Sequence, residues 1–334
     1  MTHSEPLERL SFVTQQLIAD FPPQWTHANK SAVHAISSPV GSIHKGEIGY
    51  SRWSPTPLPT QVDILAVIDL VTVSPDYYDY VHVSADPLAA EWHVNFADPM
   101  LFGYYGGGLF AQDEMQVAEH PALASLPAAI RSNGACPITK GATGPTPILV
   151  SGVERRAIIS TNPNRIEGRP YGLYGNNFAS ASSESIRRAT KAITPPTISN
   201  IIAMAAPHGG HGRYSARQIE EILTIASTGF TAAVSESTLI HGKGAKTIVH
   251  TGFWGCGAFG GDRVLMAILQ LLVASMAGVD RVVFHAVDSA GTGDVNKSVE
   301  LITDQLTLTA DSSTEVIITT LASIGFEWGL GDGN

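Results

Sequence analysis

The run Thr251-Gly-Phe-Trp-Gly-Cys-Gly-Ala-Phe-Gly-Gly-Asp262 stands between two different hydrophobic patterns. Before it, KTIVHTG at 246–252 is a β-branched run that predicts a strand; after it, residues 263–277 are apolar over several turns and predict a long helix. Gly252, Gly255, Gly257, Gly260 and Gly261 put five glycines within ten residues of this junction. Glycines let backbone N–H groups approach an anion, and the start of the next helix adds partial positive charge, so a phosphate or diphosphate is the expected guest. A sharp strand-to-helix turn would by itself need only one or two of them. Gly255, Gly257 and Gly260 also satisfy G-x-G-x-x-G, the dinucleotide fingerprint. That pattern asks for an acidic residue about 20 positions on, at the end of the next strand. Asp288 lies somewhat too far along, which leaves an NAD-dependent oxidoreductase as a distant alternative.

Outward from this junction, strands and helices alternate. Strands are expected at ILVSG 148–152, NIIAMAA 200–206, RVVFHAV 281–287 and EVIITTL 315–321, with helices near 111–120, 182–192, 215–227 and 296–307. Three β-rich runs, ILAVIDLVTV, YDYVHV and WHVNFA, follow Asp63 and read as neighbouring strands of one sheet. Such alternation predicts a three-layer α/β/α architecture. Leu7, Leu10, Val13 and Leu17 have near-helical spacing, so residues 1–60 read as an N-terminal extension with a short helix, and 61–334 as the main domain. The segment NPNRIEGRPYGLYGNN is a long loop of the kind that often acts as a lid.

Composition narrows the function classes. With 44% hydrophobic and 15% charged residues the 334-residue chain should fold as a globular body. A net charge of −10 with no dense Lys/Arg run disfavours general nucleic-acid binding. Cys136 and Cys256 are too few for a disulfide framework, and no stretch approaches the roughly 18 apolar residues of a membrane span. An intracellular, cytoplasmic setting with no membrane partner is the resulting expectation.

The second unusual segment is VNFADPMLFGYYGGGLFAQDEMQVAEHP, in which a strand ends at Ala97, Gly106–Gly108 follow, and Gln112, Asp113 and Glu114 open a helix. Adjacent carboxylates at a helix start also complement its dipole without further purpose. Together the two loops resemble the poly(ADP-ribose) glycohydrolases, a branch of the macrodomain fold. That family has a strand ending D-F-A-N, a triple-glycine loop and Q-E-E, where this chain reads Asn95-Phe96-Ala97-Asp98, Gly106-Gly107-Gly108 and Gln112-Asp113-Glu114. The family's T-G-N-W-G-C-G-A-F-G-G-D matches Thr251–Asp262 with one change, Phe253 for Asn. Asp98 likewise stands for an Asn and Asp113 for the first Glu.

The resemblance implies a macrodomain-like mixed sheet and an ADP-ribose glycohydrolase that acts on poly(ADP-ribose), or on ADP-ribosylated protein or nucleic acid, without cofactor or metal. It places Glu114 as general acid/base with Asp113 on the ribose, and Asp98, Gly106, Gly107, Gly108 and Gln112 around the scissile sugar. Phe253, Gly255, Cys256, Gly257, Ala258, Phe259 and Gly260 become diphosphate and ribose contacts. A carboxylic acid protonates the leaving oxygen in such chemistry, and burial beside another negative charge keeps its proton on. The family's adenine-stacking tyrosine is missing after Glu154-Arg155; Tyr171 or Tyr174 are the substitutes, with Asp86 as acceptor of the adenine amino group. A binding module that keeps the pocket without turnover is the alternative. His208 and His211 lack a carboxylate or Cys at ligand spacing, Cys256 has no neighbouring base, and Trp254 reads as core packing.

Overall fold

Residues 5–306 and 313–331 are described by the structure, a computed structural model. The chain begins with β1 (Glu8–Val13), α1 (Thr14–Asp20), α2 (Ala28–Ser37), β2 (Glu47–Arg52), α3 (Ile64–Leu70), β3 (Val71–Ser74) and β4 (Ala89–Phe96). It continues with α4 (Gln112–Glu119), α5 (Leu126–Ser132), the two-residue strands β5 (Lys140–Gly141) and β6 (Gly144–Pro145), and β7 (Ile148–Ile159). Then come α6 (Asn177–Ser180), α7 (Ser183–Ala189), β8 (Thr190–Met204), α8 (Ala216–His241) and β9 (Lys246–Thr251). The last elements are α9 (Arg263–Ala277), β10 (Arg281–His285), α10 (Ser289–Leu301) and α11 (Thr314–Ile324).

Eight strands form one mixed sheet in the order β1-β2-β7-β8-β4-β9-β10-β3, with β8, β4, β9, β10 and β3 mutually parallel. Helices on both faces make it the expected three-layer, macrodomain-like fold. Side chains alternate across the strands. Trp92, Val94, Ile202 and Met204 face α8 and α9 in the largest apolar cluster, while Ile201 and Ala203 join Val117, Leu123 and Ile130 on the other face. Leu265, Ile268, Leu269 and Leu272 of α9 are fully buried, each contributing about 1.5–3 kcal/mol. Asp262 caps that helix by accepting Leu265 N–H at 2.8 Å.

Several expectations need correction. Residues 8–13 are a strand, not the start of a helix: Leu10 and Phe12 alternate inward and pair opposite Tyr50 and Ile48, so the first sixty residues add β1 and β2 to the main sheet. ILAVIDL is helical because Asp63 accepts Ala66 N–H and Ile64 and Val67 bury one helical stripe. YDYVHV forms no strand, and of the three runs VTV, as β3, lies at the sheet edge, while WHVNF, within β4, lies at its centre. EVIITTL is the helix α11, where Thr314, Ile317, Ile318 and Leu321 form a buried stripe at helical spacing that outweighs the β preference of its branched side chains.

On the face opposite α9, His93 of β4, His250 of β9 and His285 of β10 lie across three adjacent strands, all nearly inaccessible. Tyr78 and Tyr80, from the segment that was expected to be a strand, cover them: Tyr78 stacks on His285 at 4.6 Å and Tyr80 meets His93 at 4.7 Å. Two of these histidines are held by polar partners. Glu91 Oε2 lies 2.8 Å from His250 Nε2, and His250 Nδ1 lies 3.2 Å from His285 Nε2.

Candidate functional site

A cavity of about 910 Å³ opens at the C-terminal ends of β4, β9 and β10, a size suited to a small organic ligand. One wall is the glycine loop from Gly252 to Phe259. Gly255 has φ +78°, and a Cβ there would come within 2.7 Å of the Ala206 methyl, so only glycine makes this bend. Gly261 N–H closes the loop on Gly255 O at 2.9 Å and Gly260 N–H on Gly257 O at 3.1 Å. The N–H groups of Gly257, Ala258 and Phe259 have no acceptor among the described residues, although all three residues line the cavity. Consecutive unpaired N–H groups beside a helix start are the physical makings of an anion site. Gly260 is turned away instead: it accepts from Gly329 N–H at 2.8 Å and packs under the C-terminal segment.

The aromatic and sulfur members of the loop divide by role. Trp254 is 1% exposed and donates to Met204 O, which makes it the packed floor of the cavity. Burial pushes the Cys256 thiol well above its usual range, which keeps it a protonated, poor nucleophile. Phe253 meets Phe284 edge-on at 5.1 Å and carries the Arg263 guanidinium 3.8 Å above its ring, so the departure from the family Asn builds a flat cation-bearing lip. Phe259 is met edge-on by His208 at 5.4 Å, while His208 and His211 themselves are exposed.

The opposite wall is the start of α4. Gln112 lines the cavity and is stapled to β4, accepting Phe96 N–H at 2.7 Å and donating to Val94 O at 3.1 Å. Phe96, Ala97, Ala111 and Met115 share this wall. Asp113 and Glu114 do not reach it: they are 5% and 3% exposed. Glu114 Oε2 accepts Ala111 N–H at 3.0 Å, and Asp113 Oδ1 accepts Asn95 Nδ2–H at 2.9 Å. Burial, and then the adjacent Glu114, raise the Asp113 carboxyl far above the ordinary carboxylate range.

Asp98 and the glycine run also lie off the cavity wall. Asp98 accepts Met100 N–H at 3.0 Å in a turn. Gly106 O accepts both Thr26 N–H and His27 N–H at 3.0 Å, and a Cβ on Gly106 would sit 2.3 Å from Gln24 O. Gly108 fits between His27 and Ala179, and Gly107 turns back on Tyr104 O. The triple glycine therefore seats the chain entering α2, a partner that the two loop motifs alone did not reveal.

The remaining walls come from residues outside the two loops. Arg155 lies 4.5 Å over the Tyr80 ring and pairs with Glu119 at 2.8 Å, and its Nη1 donates to Asp79 O, fixing the segment after β3 over the cavity. Tyr171 and Tyr174 stand at the rim next to Asn162 and Pro163, as the long-loop reading allowed. Asp86 is exposed, caps Leu88 N–H in a turn and is not part of the cavity. The advance signal for Arg155 was its place in the Glu154-Arg155 dipeptide, after which the family carries its adenine-stacking tyrosine.

Residues 168–292 match the family model described as "Poly (ADP-ribose) glycohydrolase (PARG), Macro domain fold". This stretch includes the glycine loop and excludes the Asp113–Glu114 pair. Among solved structures, the chain is similar to poly(ADP-ribose) glycohydrolase from Thermomonospora curvata at 15% identity, TM-score 0.41, covering 87% of this chain and 85% of that one. For the same enzyme bound to the inhibitor ADP-HPD the figures are 15%, 0.42, 85% and 98%. The Deinococcus radiodurans glycohydrolase in complex with ADP-ribose gives 12%, 0.40, 90% and 96%. Residues 168–292 are thus similar to the macrodomain-fold region of that family.

Proposed function

We propose that the chain is an ADP-ribose glycohydrolase that hydrolyses the O-glycosidic ribose bond of poly(ADP-ribose) or of ADP-ribosylated macromolecules. The observation that carries this reading is the cavity in which three N–H groups without an acceptor among the described residues, at Gly257, Ala258 and Phe259, oppose the start of α4. A diphosphate accepts those N–H groups, with Arg263 and the α9 N-terminus adding positive charge. The terminal ribose then points toward Phe96 and Gln112. Glu114 lies in the first turn of α4, and movement of residues 98–111 brings it to the glycosidic oxygen. It delivers a proton as the C–O bond breaks, the phosphates stabilise the oxocarbenium-like centre, and its carboxylate then activates the attacking water.

Incubation with poly(ADP-ribose), mono-ADP-ribosylated protein and mono-ADP-ribosylated nucleic acid, with assay for free ADP-ribose, tests the reading. Release from at least one substrate is expected. The second reading, a binding module without turnover, is favoured by the capping bond that holds Glu114 on Ala111 N–H and by the absence of both carboxyls from the cavity wall. Binding of ADP-ribose with no release from any substrate would establish it.

A further inference from the structure

Lys30 is fully buried, a rare state for an ammonium group unless nearby charge or polar atoms compensate it. It donates to Tyr105 O at 2.7 Å and lies over the rings of Phe110 and Phe178 at 5.2 and 5.7 Å. Its helix is anchored on both sides: Asn29 donates to Phe178 O and Ala181 O, and His27 N–H is held by Gly106 O. Burial brings the ammonium down to about 8 against the opposing charges of Glu114 and Asp113, and Phe110, over which it lies, directly precedes the Ala111 N–H that Glu114 accepts. No motif pointed to this lysine, because it comes from the segment before the first recognisable loop.

The two carboxyls differ in their surroundings. Glu114 accepts an N–H at the start of α4, where a negative charge is stabilised by the helix dipole. Asp113 is bonded to the Asn95 amide nitrogen, and Asn95 Oδ1 is buried with no donor among the described residues. A protonated Asp113 carries the donor that this oxygen lacks, on the very residue Asn95 already bonds. An ionised Asp113 leaves it orphaned at the cost of an unmade buried hydrogen bond.

On this basis, and resting on the proposed glycohydrolase activity, we propose that Lys30 is a positioning residue whose ammonium balances the Glu114 carboxylate, so that the Asp113–Glu114 pair keeps one proton, resting on Asp113. The pair, and not Glu114 alone, is then the acid reservoir for the glycosidic oxygen. The other charged or titratable groups around α4 are accounted for. Asp98 and Tyr80 face Asp113 from the flanking loops, Arg155 on β7 is bound to Glu119 at the far end of the helix, and His120 is bound to Ser199.

Two measurements on the full chain test this. In denaturant unfolding, Lys30→Met and Glu114→Gln each leave one buried charge unbalanced, so the double variant should be more stable than the sum of the single losses predicts. Asp113→Asn should cost little at pH 7, since an amide replaces a neutral acid. In the pH profile of ADP-ribose release, Lys30→Met should move the alkaline limb up by about one pH unit, a tenfold change in proton affinity, because a cation no longer opposes protonation of the pair. Lys30→Arg should leave that limb in place. Additive losses in the unfolding cycle, or an unmoved limb in Lys30→Met, would overturn the assignment. If the wild type releases ADP-ribose from no substrate, the glycohydrolase reading fails while the unfolding cycle still decides the role of Lys30.

Discussion

The glycine loop and the acidic loop face each other across one cavity, yet they are built on opposite principles. The glycine loop works through its backbone: Gly255 supplies the bend, and Gly257, Ala258 and Phe259 line the cavity with N–H groups that have no acceptor among the described residues. The acidic loop works through side chains already committed to the protein. Gln112 holds β4, Glu114 holds Ala111, Asp113 holds Asn95, and Gly106 holds the chain before α2. A backbone site is complete once its turn has formed, whereas a buried side-chain site depends on every element packed around it. That difference predicts a ligand-ready glycine loop and an acidic loop that must shift to react.

The sharpest way to separate the two loops is Glu114→Gln, which removes the carboxyl that passes the proton to the glycosidic oxygen while leaving the glycine loop intact. Turnover should fall about 10²–10⁴-fold with little change in ADP-ribose affinity. Single-turnover kinetics with a calorimetric binding measurement read both quantities; undiminished turnover would move the acid elsewhere in the site. The reciprocal variant, Gly257→Val, fills the diphosphate space. It should abolish the ADP-ribose-induced rise in thermal stability, which for the wild type amounts to about 2.7 kcal/mol at a ligand concentration of 100 Kd. A retained shift would mean that the unpaired N–H groups are not the anion site.

Gly106→Ala tests whether the triple glycine is a seat for the N-terminal segment. Its Cβ would meet Gln24 O at 2.3 Å, so a loss of about 1–3 kcal/mol is expected in denaturant unfolding, together with faster hydrogen exchange across residues 24–37. Unchanged stability would leave the run free for ligand contact. The last test concerns the buried histidines near the cavity. Burial holds His120 down to about 3 and His285 down to about 4, with His93 also well below its ordinary value. Their neutral forms contribute stability that is present above pH 6.5 and lost as pH falls toward those folded values, at up to about 1.4 kcal/mol per pH unit for each group. The unfolding midpoint should decline from pH 6.5 to 4, and His285→Asn should flatten the decline; an equal slope in that variant would remove His285 from the account.

Much of the fold was legible because periodicity and local chemistry agree. Residues 246–252 and 263–277 read as the strand and helix they form, with Asp262 and Gly278 at the helix ends. The α/β/α alternation followed from the same signals. Where local preference and packing disagree, packing prevails: β-branched residues 316–320 form α11 because one helical stripe is buried, and Leu10 and Phe12 alternate into the sheet although the spacing of Leu7, Leu10, Val13 and Leu17 also fits a helix.

The candidate site divides along the same line. The sequence by itself determined the glycine loop, since its bend depends on residues within a few positions of one another and any fold that places it after a strand presents its N–H groups similarly. It also determined that two carboxyls begin α4. Only the tertiary structure decided that those carboxyls are buried behind the wall, that Gly106 receives Thr26 and His27, that Arg155 and Tyr80 close over the cavity, and that Lys30 lies beneath Phe110 and Phe178. Each of these depends on segments dozens of residues apart, and the energy of a buried charge is set by which groups surround it in space rather than by which precede it in the chain.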